Sequence, residues 1–201
     1  MTHPTPHSTV SIELYDQGGA FVLVPMQNQD GKPASSVVWM QDGAEALRLQ
    51  ALGAAEFAQA ATARSAEVLG PLTPITNRNI WPVITQTATA LTAQRTALLA
   101  ESAHVMPPIG AQGLNTSFAD IRALLSRART GAAEIGSPAW LNDYAASRRR
   151  DIEARSKVID LYNRLCRSPA APARALRDAG LSVLHDVAPL RHAIMRAGLG
   201  G

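Results

Sequence analysis

The chain has 201 residues, 46% of them hydrophobic, and a formal net charge of +3, so it can bury a core as one large domain or two small ones. Its arginines are spread through the C-terminal half instead of forming a block, which disfavours nucleic acid as a partner, and no apolar run is long enough to span a bilayer. A single cysteine, Cys166, excludes a disulfide within the chain and fits a reducing compartment; the opening MTHPTPHSTV lacks the apolar core of a signal peptide, so a cytoplasmic chain, at most peripheral to a membrane, is expected.

The N-terminal segment reads as β-structure. Val10, Ile12 and Leu14 alternate with Ser11 and Glu13, the period of a half-buried strand. Gln17-Gly18-Gly19 supplies a turn into a second strand, Phe21 to Val24. Asn28 to Pro33, centred on Asp30-Gly31, is a polar turn before a third strand, Ser36 to Met40. Turns this short make an antiparallel meander the simplest topology. From Gly43 to Leu69 an alanine-rich run favours helix, with a break near Gly53 and an end at Gly70-Pro71. Ile80 to Thr85 and Ala88 to Leu91 have strand character, and Pro82 puts the first at an edge or bulge. Arg95 to Ala100, apolar on both faces after its start, is expected centrally in a sheet.

Further along, Phe118, Ile121, Leu124 and Leu125 follow helical spacing and carry a helix to about Ala132. Gly136-Ser137-Pro138 breaks it. A long amphipathic helix then runs from Ala139 to Arg167, with Trp140, Leu141, Tyr144, Ile152, Val158, Ile159 and Leu161 on its apolar side. Pro169 to Pro172 interrupts again, before a last helical pair, Ala173 to Leu184 and Pro189 to Arg196. The expected fold class is α/β in the α+β sense: an antiparallel sheet of about four to six strands with a helical C-terminal half.

One stretch has the makings of a ligand site. Glu101 closes the expected strand, a loop follows through Pro107, Pro108, Ile109, Gly110, Ala111, Gln112 and Gly113, and a helix opens near Asn115. Gly110 and Gly113 allow a ligand close to the backbone, and the helix mouth offers unpaired N–H groups and the positive end of a dipole. Glu101 can accept hydrogen bonds from hydroxyls. Spacing alone leaves this reading even with an ordinary strand-to-helix connection, in which glycine and proline are turn residues.

The same residues carry a resemblance. Glu101-Ser102-Ala103-His104, Pro107-Pro108, Gly110-Ala111-Gln112-Gly113-Leu114-Asn115 and Asp120 resemble the second FAD-binding motif of flavoprotein aromatic hydroxylases, the p-hydroxybenzoate-hydroxylase-like class. That pattern is GD-x-x-H, then P-x-x-G-x-G-x-N and a later Asp. The variant here is most similar to the ubiquinone-biosynthesis hydroxylases. Pro6-His7, Phe21 to Pro25, Ser36-Val37-Val38-Trp39, Arg148-Arg149-Arg150-Asp151, Pro189-Leu190-Arg191, Met195-Arg196 and Gly198-Leu199-Gly200 fall where that branch has similar sequence. Ala100 stands where the family has glycine before the acid, and Ser117 where a glycine is common after the Asn.

The resemblance implies an FAD-dependent monooxygenase that hydroxylates an aromatic quinone precursor, polyprenylated or not. Glu101 would bond the ribityl hydroxyls and Pro108 would lie beside the isoalloxazine. The backbone N–H groups of Leu114 and Asn115 would meet the flavin N1–C2=O2 edge. It also divides the chain into a substrate-binding sheet with its helix 43–69 (residues 1–92), the second FAD motif (93–135) and a C-terminal helical region (136–201). The strand–GxGxxG–helix that holds the FAD pyrophosphate in such enzymes is not among these residues. The chain is therefore expected to be a C-terminal portion. Its partners would be a separate N-terminal FAD-binding half or other ubiquinone-biosynthesis proteins. The alternative is a non-catalytic truncated remnant or an accessory lipid- or protein-binding subunit.

The remaining candidates read more blandly. His3 and His7 read as solvated terminal residues, since Pro4 and Pro6 forbid a helical metal pair. His104 reads as a hydrogen-bonded structural residue, His185 and His192 lack partners at ligand spacing, and no metal is expected. Arg148 to Arg150 read as a solvated face pairing with Asp151 and Glu153. The C-terminal stripe of Leu176, Leu181, Leu184, Val187, Leu190, Ile194 and Met195 is expected to pack on the domain, with contact to an anionic membrane as the minority reading. Strands that pair with the missing half would leave an exposed edge or apolar face.

Overall fold

The computed structural model describes residues 1–15, 19–168 and 170–199. Gln17 and Gly18 of the first expected turn, Pro169 of the second Pro break and Gly200 lie outside them. The described residues fall into two compact units, Met1–Pro82 with Leu165–Arg174, and Val83–Arg164 with Ala175–Gly201.

In the first unit, β1 (Ile12–Leu14), β2 (Phe21–Gln29) and β3 (Lys32–Trp39) form an antiparallel sheet in the order β1-β2-β3. The β2–β3 turn is Asp30-Gly31, with φ of 49° and 76°. Positive φ at both central residues gives the turn whose twist matches the strands it joins. Register pairs Phe21 with Trp39 and Leu23 with Val37, so these four share a face. Two helices follow, α1 (Gly43–Ala51) and α2 (Ala54–Arg64), split at Gly53 as the sequence predicts. Ala61 of α2, with Leu69 and Leu72, closes on Phe21 and Leu23, and Trp39 and Phe57 pack at the margin. Arg64 donates to the carbonyls of Leu14 and Gly19 and lies over the Phe21 ring.

Three expectations fail here. The sheet has three strands, not four to six. Ile80–Thr85 forms no strand among the described residues: Pro82 removes a donor, and Trp81, Val83 and Ile84 remain exposed. His3 is buried, not solvated. Its ring bonds the Ser35 hydroxyl at 2.9 Å and the Thr5 carbonyl at 2.8 Å, because the backbone of Met1–His3 runs along the outer edge of β3.

The second unit is mainly helical. β4 (Gln86–Thr87) pairs with β7 (His104–Val105), and β5 (Thr92–Ala93) with β6 (Thr96–Ala97), all antiparallel. Thus Arg95–Ala100 is no central strand. It contributes two residues to a tight hairpin, and Ala100–Ser102 is a 3-10 turn. Ala88–Leu91 likewise stays outside any strand, although Leu91 is buried against Ala103 and Ile152. Then come α3 (Gln112–Thr130), α4 (Pro138–Arg167), α5 (Ala171–Asp186) and α6 (Ala188–Leu199). Along α4 the buried stripe is Leu141, Tyr144, Ile152 and Ile159, while Val158 and Leu161 are exposed. The C-terminal stripe does not pack away as expected: Leu176, Leu181, Val187, Leu190, Ile194 and Met195 are exposed.

Candidate functional site

The site stretch is built by a change of backbone hand. A 3-10 turn, Ile109–Ala111, contains Gly110 at φ 73°, and Ala111 follows at φ 50° as the N-cap of α3. That left-handed pair brings the chain into α3 at Gln112, three residues earlier than the sequence suggests. Asn115 therefore lies within the first turn and not at its mouth. The N–H groups left without intrahelical acceptors are those of Gln112, Gly113 and Leu114. Gly113 is a helical residue, and a methyl group built on it would meet nothing within 4 Å. On Gly110 it would approach only the Gln112 side chain, at 3.9 Å. Glu101, Pro108, Gly110, Ala111, Gly113 and Leu114 are exposed, and Gln112 and Asn115 are half-buried. Gly110, Ala111, Gly113 and Leu114 thus present an open rim at the positive end of a 19-residue helix, and Glu101 is exposed on the turn that Asp120 of the same helix holds.

Behind the rim is a buried ionic cluster. Asp120 is wholly buried on the inward face of α3. Its Oδ2 accepts the Ala100 N–H at 2.9 Å and the His104 Nε2–H at 2.8 Å, and its Oδ1 accepts the Arg148 Nε–H at 2.6 Å. Arg148 goes on to donate to Asp151 at 2.8 Å and to the Thr116 carbonyl at 3.3 Å. Asp151 also accepts from Arg155 Nε at 3.0 Å, and Arg155 reaches Gln112 Oε1 at 3.3 Å. Burial alone would raise the Asp120 carboxyl. The hydrogen bonds from His104, Ala100 and Arg148, with the Arg148 charge, outweigh it and hold the carboxyl below its ordinary range. Burial likewise works to raise Asp151, but its bonds from Arg148 and Arg155 hold it low. Tyr144, buried beside the cluster and donating to the Leu98 carbonyl at 2.8 Å, is pushed up to about 12, by burial first and then by the Asp120 charge.

This cluster corrects the reading of Arg148 as part of a solvated face. Arg148 is buried, and only Arg149 and Arg150 fan outward, Arg149 donating to the Thr89 carbonyl. The signal was present in the spacing. Tyr144, Arg148 and Ile152 are successive members of one i, i+4 stripe, so Arg148 occupies a core position and needs a buried anion. His104 has the structural hydrogen bond expected of it.

Three positions differ from the glycines of the motif, and the backbone shows what each difference means. Ala100 has φ 54° and Ala111 φ 50°, both in the left-handed region where glycine is unstrained. Counted from Pro108, the first glycine of P-x-x-G-x-G-x-N falls on Ala111, a departure that the neighbouring Gly110 conceals in the sequence. Ser117 is accommodated within α3 by donating to the Gly113 carbonyl at 2.9 Å.

Helix α3 is inverted relative to its apolar pattern. Thr116 and Asp120 are buried, whereas Leu114, Phe118, Ile121 and Leu125 are 65%, 47%, 40% and 52% exposed. Of the apolar residues that predict the helix, Phe118, Ile121 and Leu125 are therefore on its outer side and Leu124 is half-buried.

Comparison with known proteins places these features. The family described as FAD binding domain matches residues 1–157. Ubiquinone hydroxylase UbiL of Rhodospirillum rubrum is 29% identical over 201 residues, which cover 98% of this chain and 46% of that protein. The mitochondrial ubiquinone biosynthesis monooxygenase COQ6 of Homo sapiens is 34% identical over 122 residues, covering 59% of this chain and 26% of that protein. Among solved structures, pqsL of Pseudomonas aeruginosa, described as a probable FAD-dependent monooxygenase, has a TM-score of 0.59 at 21% identity. That match covers 82% of this chain and 46% of pqsL. The Diels-Alderase PyrE3 of pyrroindomycin biosynthesis reaches 0.64 at 19% identity, covering 94% of this chain and 39% of PyrE3. At such identities the structures show a shared fold and no more. The chain spans less than half the length of these relatives.

Proposed function

We propose that this chain, which belongs to the FAD binding domain family, is the C-terminal portion of an FAD-dependent monooxygenase hydroxylating an aromatic quinone precursor in ubiquinone biosynthesis. The single observation that supports the proposal is the open rim at the start of α3, built from residues of the motif. Unpaired N–H groups of Gln112, Gly113 and Leu114, an unobstructed approach over Gly113 and the exposed Glu101 carboxylate together fit the isoalloxazine and ribityl portions of FAD.

In this reading Glu101 accepts the ribityl hydroxyls, and Gly110, Ala111, Gln112 and Gly113 supply the approach. The N–H of Leu114 would face the N1–C2=O2 edge. Asn115, whose own N–H lies inside the helix, contributes through its side chain. The helix dipole would favour negative charge on that edge. Pro108, exposed at the rim, borders the place where the aromatic ring is held. The bound FAD supplies the oxygen-transferring redox chemistry; the chain's residues bind and orient it. The nucleotide end of FAD requires a strand–GxGxxG–helix from elsewhere, an N-terminal half in the same or another polypeptide. The test is a difference absorbance titration of the chain with FMN, which carries isoalloxazine and ribityl but no adenosine. A saturable shift of the flavin bands, abolished by Glu101→Gln with Leu114→Pro, is expected; an unperturbed flavin spectrum would overturn the assignment.

A second reading has its own observation. α5 and α6 expose Leu176, Leu181, Leu190, Ile194 and Met195 among Arg174, Arg191 and Arg196, a composition suited to an anionic membrane surface and to a polyprenylated substrate. None of the described helices is long and apolar enough to cross a membrane. Peripheral contact with the inner membrane from the cytoplasmic side predicts salt-sensitive co-sedimentation with anionic vesicles; absence of binding at low salt removes this reading.

A further inference from the structure

The cluster around Asp120 has an arrangement that packing alone does not explain. It begins at the Ala100 N–H, one residue before Glu101, and runs through Asp120, Arg148, Asp151 and Arg155 to Gln112 Oε1 on the first residue of α3. Both ends therefore fall on the proposed flavin rim, and the links between them are charged side chains. A buried ion pair is an expensive way to join two helices, since apolar side chains of similar volume often do so as well or better. What apolar side chains cannot do is accept the Ala100 N–H and thereby hold a left-handed alanine in place beside Glu101.

We propose that Asp120 and Arg148 are positioning residues for the flavin: they lock the Ala100–Ser102 turn to α3 and so set the separation of the Glu101 carboxylate from the N–H groups of Gln112, Gly113 and Leu114. The proposal rests on the flavin reading of that rim. Asp120 touches no ligand in this scheme and acts through the turn it holds. Arg148 keeps Asp120 ionised and, through Asp151 and Arg155, ties the same frame to Gln112. A lysine at position 148 would keep the charge but lose the fork that addresses Asp120, Asp151 and the Thr116 carbonyl together.

The experiment is a double-mutant cycle on the full chain, read as FMN fluorescence quenching well below the thermal midpoint. Asp120→Asn should weaken FMN binding about tenfold, the equivalent of one lost charge-assisted hydrogen bond, and Arg148→Lys should fail to restore the native affinity. In a Glu101→Gln background the Asp120→Asn loss should nearly vanish, because Asp120 acts through Glu101. A merely structural role gives additive losses, and additivity overturns the proposal, as does unchanged affinity in folded Asp120→Asn. If Asp120→Asn fails to fold, Arg155→Ala at the less buried end of the frame decides. A loss of about threefold with an unchanged thermal midpoint supports the proposal, and no loss overturns it. Failure of the wild-type chain to quench FMN at all would overturn the flavin reading itself and this inference with it, a result distinct from binding that ignores Asp120.

Discussion

Helix α2 turns Ala61 and Phe57 toward the sheet, whereas α3 turns Thr116 and Asp120 inward and leaves Leu114, Phe118, Ile121 and Leu125 to the outside. In the first unit stability follows the usual rule, apolar area removed from water. Around α3 a buried charge cluster holds the element in place while the apolar stripe goes unused. An α3 surface of this kind sets the second unit apart from the first. The first buries an apolar core, and the second leaves an apolar helix face exposed beside a buried ionic cluster.

Substitutions can break this contrast, beginning with the largest effects. Phe21→Ala should cost about 3–5 kcal/mol through the cavity it leaves, and Asp120→Ala a similar about 3–5 kcal/mol by stranding Arg148. Urea denaturation should show the first loss in the sheet and the second in hydrogen-exchange protection of α3 and α4. Acid gives the same cluster a signature. The folded Asp120 carboxyl is depressed, so its contribution is complete above the unfolded value of about 3.9. It is lost as pH falls through the lower folded value. Denaturation between pH 5 and 2, as an order-of-magnitude window, should therefore steepen in the wild type and flatten in Asp120→Asn.

Smaller effects sharpen the picture at the rim. Ala100→Gly and Ala111→Gly should each stabilise by about 1 kcal/mol, since both positions are left-handed; destabilisation by either would mean that the turn is not held in that conformation. The smallest effect belongs to the outer stripe. Phe118→Ser and Leu125→Ser should change stability by no more than about 0.5 kcal/mol, against several for Phe21→Ala, and a large loss would show that the stripe is covered within the chain.

Much of the first unit is legible in the amino-acid order. Alternation at Ile12 and Leu14, the Asp30-Gly31 turn and the break at Gly53 are local signals, and local geometry obeys them. Arg95–Ala100 misleads because an apolar run of strand length carries no information about whether a partner strand exists. The inversion of α3 is hidden for a related reason: periodicity locates the apolar stripe but not what lies against it. Arg148 is recoverable only from its place between Tyr144 and Ile152. The strain at Ala111 shows only when the backbone angle is seen beside that of Gly110. The stretch from Glu101 to Asn115 stands out as a motif, though the helix opens at Gln112 and so puts Gln112 and Gly113, not Asn115, among the N–H groups at its start.

On the proposed reading, this chain holds the isoalloxazine and ribityl end of FAD and not its nucleotide end. The direct measurement is a parallel titration of the isolated chain with FMN and with FAD. Weak affinities of similar size for the two are expected, because the proposed contacts include none to adenosine. Micromolar or tighter binding of FAD with a clear preference over FMN would contradict that reading.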